Sequence, residues 1–344
     1  MVKMIKDASF LIAILCLASL SSAGQDQEGL LKQARQTFTP VPRLISSPTN
    51  PITPEKVKLG KTLFYETRIS VDGTVSCARC HPMGLYAADG LRKSIGNNSK
   101  VNARNAPTVL NAAGQISEHW IGNRKDVEDQ AEQSVTGPAS FGMPSYEAVE
   151  KVLKGIKGYT ALFRDAFPGD TDPITLGRFA EAIGAFERTL VTPSPFDAFL
   201  KGNQEALTAS QKQGLSTFIE LGCATCHSGT YVGGHMYQKF GIAEPYWKHT
   251  KSDTIDDGRY QVTRQESDKY VFKVPLLRNV KKTPPYFHDG SVSRLDDAVR
   301  VMGIVQLGKE VATPELEGIH AFLTSLTGEI PEDAMELPLL PATE

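Results

Sequence analysis

Two short strings constrain everything else in this chain: Cys77-Ala78-Arg79-Cys80-His81 and Cys223-Ala224-Thr225-Cys226-His227. Each reads Cys-x-x-Cys-His. At that spacing two thiols can add across the vinyl groups of a haem while the next residue offers its imidazole to the iron. A single Cys-x-x-Cys more often marks half of a zinc centre or a redox dithiol. Here both copies end in histidine, and the only thiols able to complete a four-cysteine zinc site belong to the other copy. The repetition predicts two covalently bound c-type haems. Cys77, Cys80, Cys223 and Cys226 are the attachment points, and His81 and His227 are the iron ligands.

The chain has 5 cysteines, and the one left over is Cys16. It lies in an apolar run over 10–20, after Lys3 and Lys6 and before Ser21-Ser22-Ala23. A charged start, an apolar middle and a small-residue end predict a signal peptide over 1–23, cut after Ala23. The run is too short for a retained membrane span. Leu15, directly before Cys16, argues against a lipoprotein. The expectation is a soluble periplasmic protein, which fits haem attached outside the cytoplasm. A length of 344 residues leaves room for about two domains. A net charge of −2 gives no electrostatic case for nucleic acid or a membrane surface as partner.

Residues 24–50 are polar and proline-bearing, with a helical patch near 25–37, and read as an N-terminal arm. Thr53-Pro54 predicts a helix start, with threonine as cap and proline in the first turn. Leu59, Leu63 and Phe64 give that helix its buried stripe. The segment 82–118 is poor in periodic apolar positions and reads as loop wrapped around the first haem. Polar helices are expected over 126–133 and 146–163. The helix over 173–190 carries Phe179, Ile183, Phe186 and Leu190 on one face. Thr192-Pro193-Ser194-Pro195 ends it and marks a boundary. Thr208 and Gln211 form a capping box for a helix that leads straight into the second haem motif. Residues 228–290 read as irregular. A last helix starts at Thr313-Pro314 and packs through Leu316, Ile319, Phe322, Leu323 and Leu326. Helix, haem motif, loops and helix, run through twice, predict a mostly α fold of two cytochrome c-like domains, 51–194 and 195–335.

The strings Leu59-Gly60-Lys61, Arg68-Ile69-Ser70, Asn105-Ala106-Pro107-Thr108-Val109-Leu110-Asn111, His119-Trp120 and Pro284–Gly290, with the two haem motifs and Met302, resemble the bacterial di-haem cytochrome c peroxidases. That family also contains the MauG-type enzymes, and the likeness covers nearly all of the chain after the signal peptide. It implies that the His81 haem meets hydrogen peroxide, while the His227 haem takes in electrons with Met302 as its second ligand. A thioether raises the potential of haem iron, which suits an electron relay. The resemblance further implies that Trp120 couples the two haems. It makes Asn105, Thr283 and Pro285 oxygen donors to a calcium ion, a ligand type suited to that hard cation. Gln130 matches a catalytic glutamine of the family.

The chain also departs from the pattern. The family's acid–base glutamate falls on Ser140, a conserved-pattern proline on Ser134, and the histidine that caps the first iron on Asn97. Asparagine is a poor haem ligand, so the first iron is expected to be five-coordinate or open to water, ready for peroxide without prior reduction of its partner. Replacement acid–base candidates are His119, Glu128 and Glu132, with His119 able either to shuttle a proton or to sit on a solvent-facing loop. His235, His249 and His320 read as surface residues. Three functions follow from these readings. The first is a periplasmic peroxidase fed by a small cytochrome c or cupredoxin. The second is a MauG-like enzyme oxidising tryptophan or other residues of a partner protein. The third is a non-catalytic di-haem carrier or sensor. The resemblance allows a homodimer.

Overall fold

A computed structural model describes residues 28–343. The predicted signal peptide, with Cys16, lies outside the described residues. The chain is mostly helical, with a single two-stranded sheet among the described residues.

The first long helix, Pro54–Phe64, starts as the sequence requires. Thr53 accepts a hydrogen bond from the Lys56 N–H at 3.2 Å, and Pro54 fills the first turn, where no N–H is needed. Its stripe of Leu59, Leu63 and Phe64 is fully buried. It crosses the helix Leu176–Glu187 at Gly60, where a Cβ would overlap the Ala182 carbonyl oxygen. Around this crossing the first buried cluster assembles, with Phe163, Phe179, Ile183, Phe186 and Leu190 at its centre. The same device recurs later in the chain. Helix Ala209–Glu220 begins with the Thr208/Gln211 capping box and crosses Thr313–Ser325 at Gly214, where a Cβ would overlap the Gly318 carbonyl. The second cluster forms there from Phe196, Phe199, Phe218, Phe322 and Leu323.

Two sequence expectations are revised, and a third, the helical arm, is met and extended. The helix expected over 146–163 is two helices, Tyr146–Gly155 and Lys157–Ala166, because Ile156 leaves helical geometry at φ −101°, ψ 97°. That break turns Ile156 into the first core, where it is buried. Ser194-Pro195 not only ends one segment but opens the helix Pro195–Leu200, with Asp197 completing a capping box. The N-terminal arm is helical over 28–37, and Leu31, Ala34 and Phe38 pack into the second cluster, against Phe196 and Phe322.

A helix over Leu295–Leu307 carries Met302. Strands Tyr237–Lys239 and Val271–Lys273 pair antiparallel, Gln238 opposite Phe272. Among the described residues no helix is long and apolar enough to cross a membrane.

Candidate haem sites

Cys77–Cys80 forms one helical turn directly after Ser76, and His81 closes it. The His81 Nδ1 stands 3.1 Å from the Ala87 carbonyl oxygen. A ring that donates Nδ1–H to a carbonyl presents Nε2 as a lone pair, the form a metal needs. Burial pushes the His81 pKa down, which favours that neutral form. Cys77 packs against the first core and Cys223 against the second, so the two thiol pairs do not pool into a four-cysteine zinc centre.

The second motif, Cys223–Thr225, is a 3₁₀ turn entered through Gly222 at φ 89°. An apolar cavity of about 250 Å³ opens beside it. Cys223, Cys226, His227 and Met302 share its wall with Phe218, Val311 and Leu323. Burial lowers the His227 pKa to about 4, so the imidazole is neutral and able to ligate. Two thiols, an imidazole and a thioether around an apolar hollow are a donor set that fits a covalently held haem.

The same cavity gathers most of the other predicted residues: Trp120, His119, Asn105, Thr283 and Pro285 all line it. Trp120 donates its Nε1–H to the Asn105 carbonyl at 2.9 Å, and Asn105 donates its backbone N–H to the His288 carbonyl at 2.8 Å. The Asn105 amide nitrogen is spent on the Leu91 carbonyl at 2.8 Å. This leaves its side-chain oxygen as the acceptor. Gln130 stands apart, half-buried on the helix Val127–Ser134, which packs on Leu176–Glu187.

His119 does not sit on a solvent-facing loop. Its ring is set into the cavity wall, its backbone is left-handed at φ 64°, and its Nδ1 is 2.9 Å from the Asn123 side-chain oxygen. Burial first, and then the neighbouring Arg124 charge, push its pKa down to about 4. Glu128 is not a free acid–base group. It is clamped in a two-point ion pair with Arg188 at 2.8 and 2.9 Å and takes a third bond from Asn50. Burial works to raise its pKa, but these bonds prevail and hold it below the usual carboxylate range. Glu132 is half-buried on the same helix and makes no hydrogen bond or ion pair among the described residues. His320 is not exposed: it is half-buried and bonded to Asp296, tying the helices Leu295–Leu307 and Thr313–Ser325 together. His249 pairs with Glu244 at the surface, and His235 is exposed.

The positions where the sequence departs from the resemblance meet in space. Asn97 is fully buried, and its amide donates to the Pro138 and Ser140 carbonyls at 2.9 Å each. Its backbone N–H also donates to Ser140 O at 2.9 Å. Asn97 therefore clamps the segment that carries Ser140. The Asn97 side-chain oxygen in turn accepts the Asn98 amide at 3.1 Å, so the whole side chain is engaged with this loop.

Sequence reasoning missed two buried carboxyls. Glu118 is 7% exposed, 3.8 Å from Lys273, and burial drives its pKa up to about 7 against the pull of that lysine. Glu187 is 3% exposed, and burial, then Glu118 and Glu128, raise its pKa well above normal. Glu187 adds to burial in pushing the Cys77 thiol up, an electrostatic link to the first haem motif. One signal was available: Glu187 follows Ile183 by four residues, on the apolar face of its helix. Nothing of that kind marks Glu118.

Comparisons with known proteins show the family. Residues 54–205 match the family described as di-haem cytochrome c peroxidase. Cytochrome c551 peroxidase of Pseudomonas aeruginosa is 40% identical over 332 residues, spanning 95% of this chain and 94% of its own length. The methylamine utilization protein MauG of Methylorubrum extorquens is 32% identical, over 94% of this chain and 91% of its own. A solved MauG-like protein associated with microbial copper homeostasis superposes with a TM-score of 0.76 at 26% identity, covering 87% of this chain and 97% of that one. The chain belongs to the di-haem cytochrome c peroxidase family.

Proposed function

We propose that this chain is a di-haem c-type peroxidase that reduces hydrogen peroxide at the His81 site, with electrons entering through the His227/Met302 site. The observation that carries this reading is the single cavity in which His227, Met302 and both attachment cysteines face Trp120 and His119. Haem supplies the electron storage and the metal centre for O–O cleavage. The chain holds and orients it and handles the protons.

In this reading Cys77, Cys80, Cys223 and Cys226 bind the two haems covalently, and His81, His227 and Met302 ligate the irons. The domains are 51–194 around the first haem and 195–335 around the second, with 24–50 as an arm. His119 acts as proton acceptor: with Nδ1–H given to Asn123, its Nε2 is a lone pair, and its low pKa keeps it a base at neutral pH. Asn97 leaves the first iron open, as its amide is bound to the 138–140 segment. Gln130 is the remaining polar candidate on that side. Asn105, Thr283 and Pro285 hold a calcium ion where the two halves meet. Residues 1–23 direct export to the periplasm, and a small cytochrome c or cupredoxin supplies the electrons.

The test begins with the oxidised di-haem protein. Its spectrum should show one high-spin haem and one low-spin haem with a sulfur-to-iron band in the near infrared. Added peroxide should shift the Soret band without prior reduction. Two low-spin haems and no reaction until an electron is added would defeat the reading. Met302→Ala should abolish the near-infrared band.

A further inference from the structure

The chain contains 2 tryptophans, Trp120 and Trp247. Far apart in sequence, they pack on one small cluster whose buried members are Ile121, Tyr246 and Phe272. From Trp120 a line of rings leads outward. The His288 ring centre is 6.4 Å from Trp120, Tyr246 is 5.2 Å from His288, Trp247 is 5.2 Å from Tyr246, and Tyr270 is 4.8 Å from Trp247. Tyr246 is fully buried, whereas Trp247 and Tyr270 are half-exposed.

Packing alone does not call for this choice of rings. Phe240 and Phe272 fill the same cluster with side chains that resist oxidation, while the outward line is Tyr, Trp and Tyr. The three oxidisable rings also differ in what they can do with a proton. The Tyr246 hydroxyl accepts the Asp256 N–H at 2.8 Å and points its own hydrogen at the Asp256 carbonyl at 3.3 Å. A carbonyl is a poor proton acceptor, and burial pushes the phenol pKa up to about 12. Tyr246 can therefore pass a charge on but is a poor place to keep one. An indole can give up an electron before it loses its proton, which suits Trp247. The Tyr270 hydroxyl makes no hydrogen bond among the described residues, and a half-exposed phenol can release its proton to water. Lys239 Nζ lies 5.9 Å from the Tyr270 ring centre, which disfavours a cationic ring and favours the neutral, deprotonated radical.

We propose that Trp247 and Tyr270 form a second outlet of the enzyme, a surface site where small phenolic donors are oxidised one electron at a time. The oxidising equivalent reaches it along Trp120, Tyr246 and the His288 ring that bridges them. The proposal rests on the peroxide reaction described above. Its balance is one hydrogen peroxide and two phenols giving two waters and two phenoxyl radicals. The O–O bond breaks, each phenol loses one electron and its hydroxyl proton, and the two electrons and two protons complete the waters.

The test uses the purified di-haem protein with hydrogen peroxide, a nitrone spin trap and 2-methoxyphenol as donor. Without the phenol, trap adducts located by peptide mass spectrometry should fall on Trp247 and Tyr270. With it, the adducts should disappear and coloured phenol products should form. In the variant W247F/Y270F, phenol oxidation should fall by about tenfold or more, a loss on the scale of one removed kinetic route. The Soret response to peroxide should stay as in the wild type. Trp247→Tyr keeps an oxidisable ring and should keep most of the activity. A normal Soret response with adducts elsewhere, or phenol oxidation unchanged in the double variant, would overturn this proposal alone. No Soret response in the wild type would overturn the peroxide reading and this site with it. If the double variant fails to fold, the wild-type adduct map decides.

Discussion

The two halves of the molecule are built by one recipe and finished differently. In each, a capped helix leads to Cys-x-x-Cys-His and crosses a later helix at a glycine, Gly60 over Ala182 and Gly214 over Gly318. Beyond that the surroundings diverge. His227 faces an apolar cavity with Met302 on its wall, and no carboxylate lines that cavity. Cys77 of the His81 motif feels Glu187, a buried carboxyl grouped with Glu118, Glu128 and Arg188, while Lys273, the partner of Glu118, reaches the wall of the His227 cavity. A site that only relays electrons gains from a dry wall that holds its charge state steady. A site that breaks an O–O bond has to move protons and needs polar groups near at hand. The contrast teaches that one helix-crossing device can carry two different electrostatic surroundings.

The strongest way to break this comparison is at His119. If it is the proton acceptor for the first site, His119→Phe should slow the reaction with peroxide by about 10²–10⁴-fold. Stopped-flow Soret kinetics would measure it, and the near-infrared sulfur-to-iron band should persist. A variant with wild-type rates would pass the role to Glu187 or Glu118.

Each half also holds a buried ion pair, and these are not equivalent. In the second half Arg278 and Asp197 are both sealed from solvent and joined at 2.8 and 2.9 Å. Asp197 also accepts the Val41 and Ser194 N–H groups, so the pair ties the arm to the core. Arg278→Ala should cost about 3–5 kcal/mol, because a buried carboxylate is left without its partner. In the first half Glu66 is buried but Arg68 is 31% exposed, and Tyr159 still donates to Glu66 at 2.7 Å when the arginine is gone. Arg68→Ala should therefore cost less, about 1–3 kcal/mol. Denaturant unfolding of the two variants would measure both, and a reversed order would refute the account.

The shared device predicts a shared cost. Gly60→Ala and Gly214→Ala should each destabilise by about 1–3 kcal/mol, since the added methyl forces apart two helices in carbonyl contact. Similar losses from the two would support common construction, and a neutral Gly214→Ala would show that the second crossing yields more easily.

The smallest effect is in pH. His119 has its pKa depressed to about 4, so its folded-state base form persists as acid is added. Protonation is favoured in the unfolded chain from near pH 6.5 downward. Its contribution to stability is therefore present above that value and lost as pH falls toward 4. The peroxide rate should likewise hold steady through pH 6 and fall only on approach to pH 4. A rate midpoint near 6.5 would mean the ring is solvated.

Much of this was legible beforehand because it depends on spacing along the chain. Cys77 to His81 and Cys223 to His227 predict the cofactor by their spacing. Thr53-Pro54 and Thr208/Gln211 mark helix starts by local hydrogen bonding, and the stripe Phe179, Ile183, Phe186 and Leu190 is buried as periodicity demands. The grouping of His227, Met302 and Trp120 needed the family resemblance, since no local rule joins residues so distant.

Other features exist only once the chain is folded. Asn97 holds Ser140 across the loop, Arg188 takes Glu128 out of acid–base chemistry, and Trp247 comes to lie in line with Trp120. Burial likewise decides that His119 stays neutral and that Glu118 and Glu187 resist ionisation. The sequence by itself predicted two haem motifs and located most of the helices, because motif spacing, capping and periodicity act between near neighbours. Only the tertiary structure decided which titratable groups keep their protons and which rings form a path, because desolvation and ring-to-ring distance are set by segments far apart in the chain.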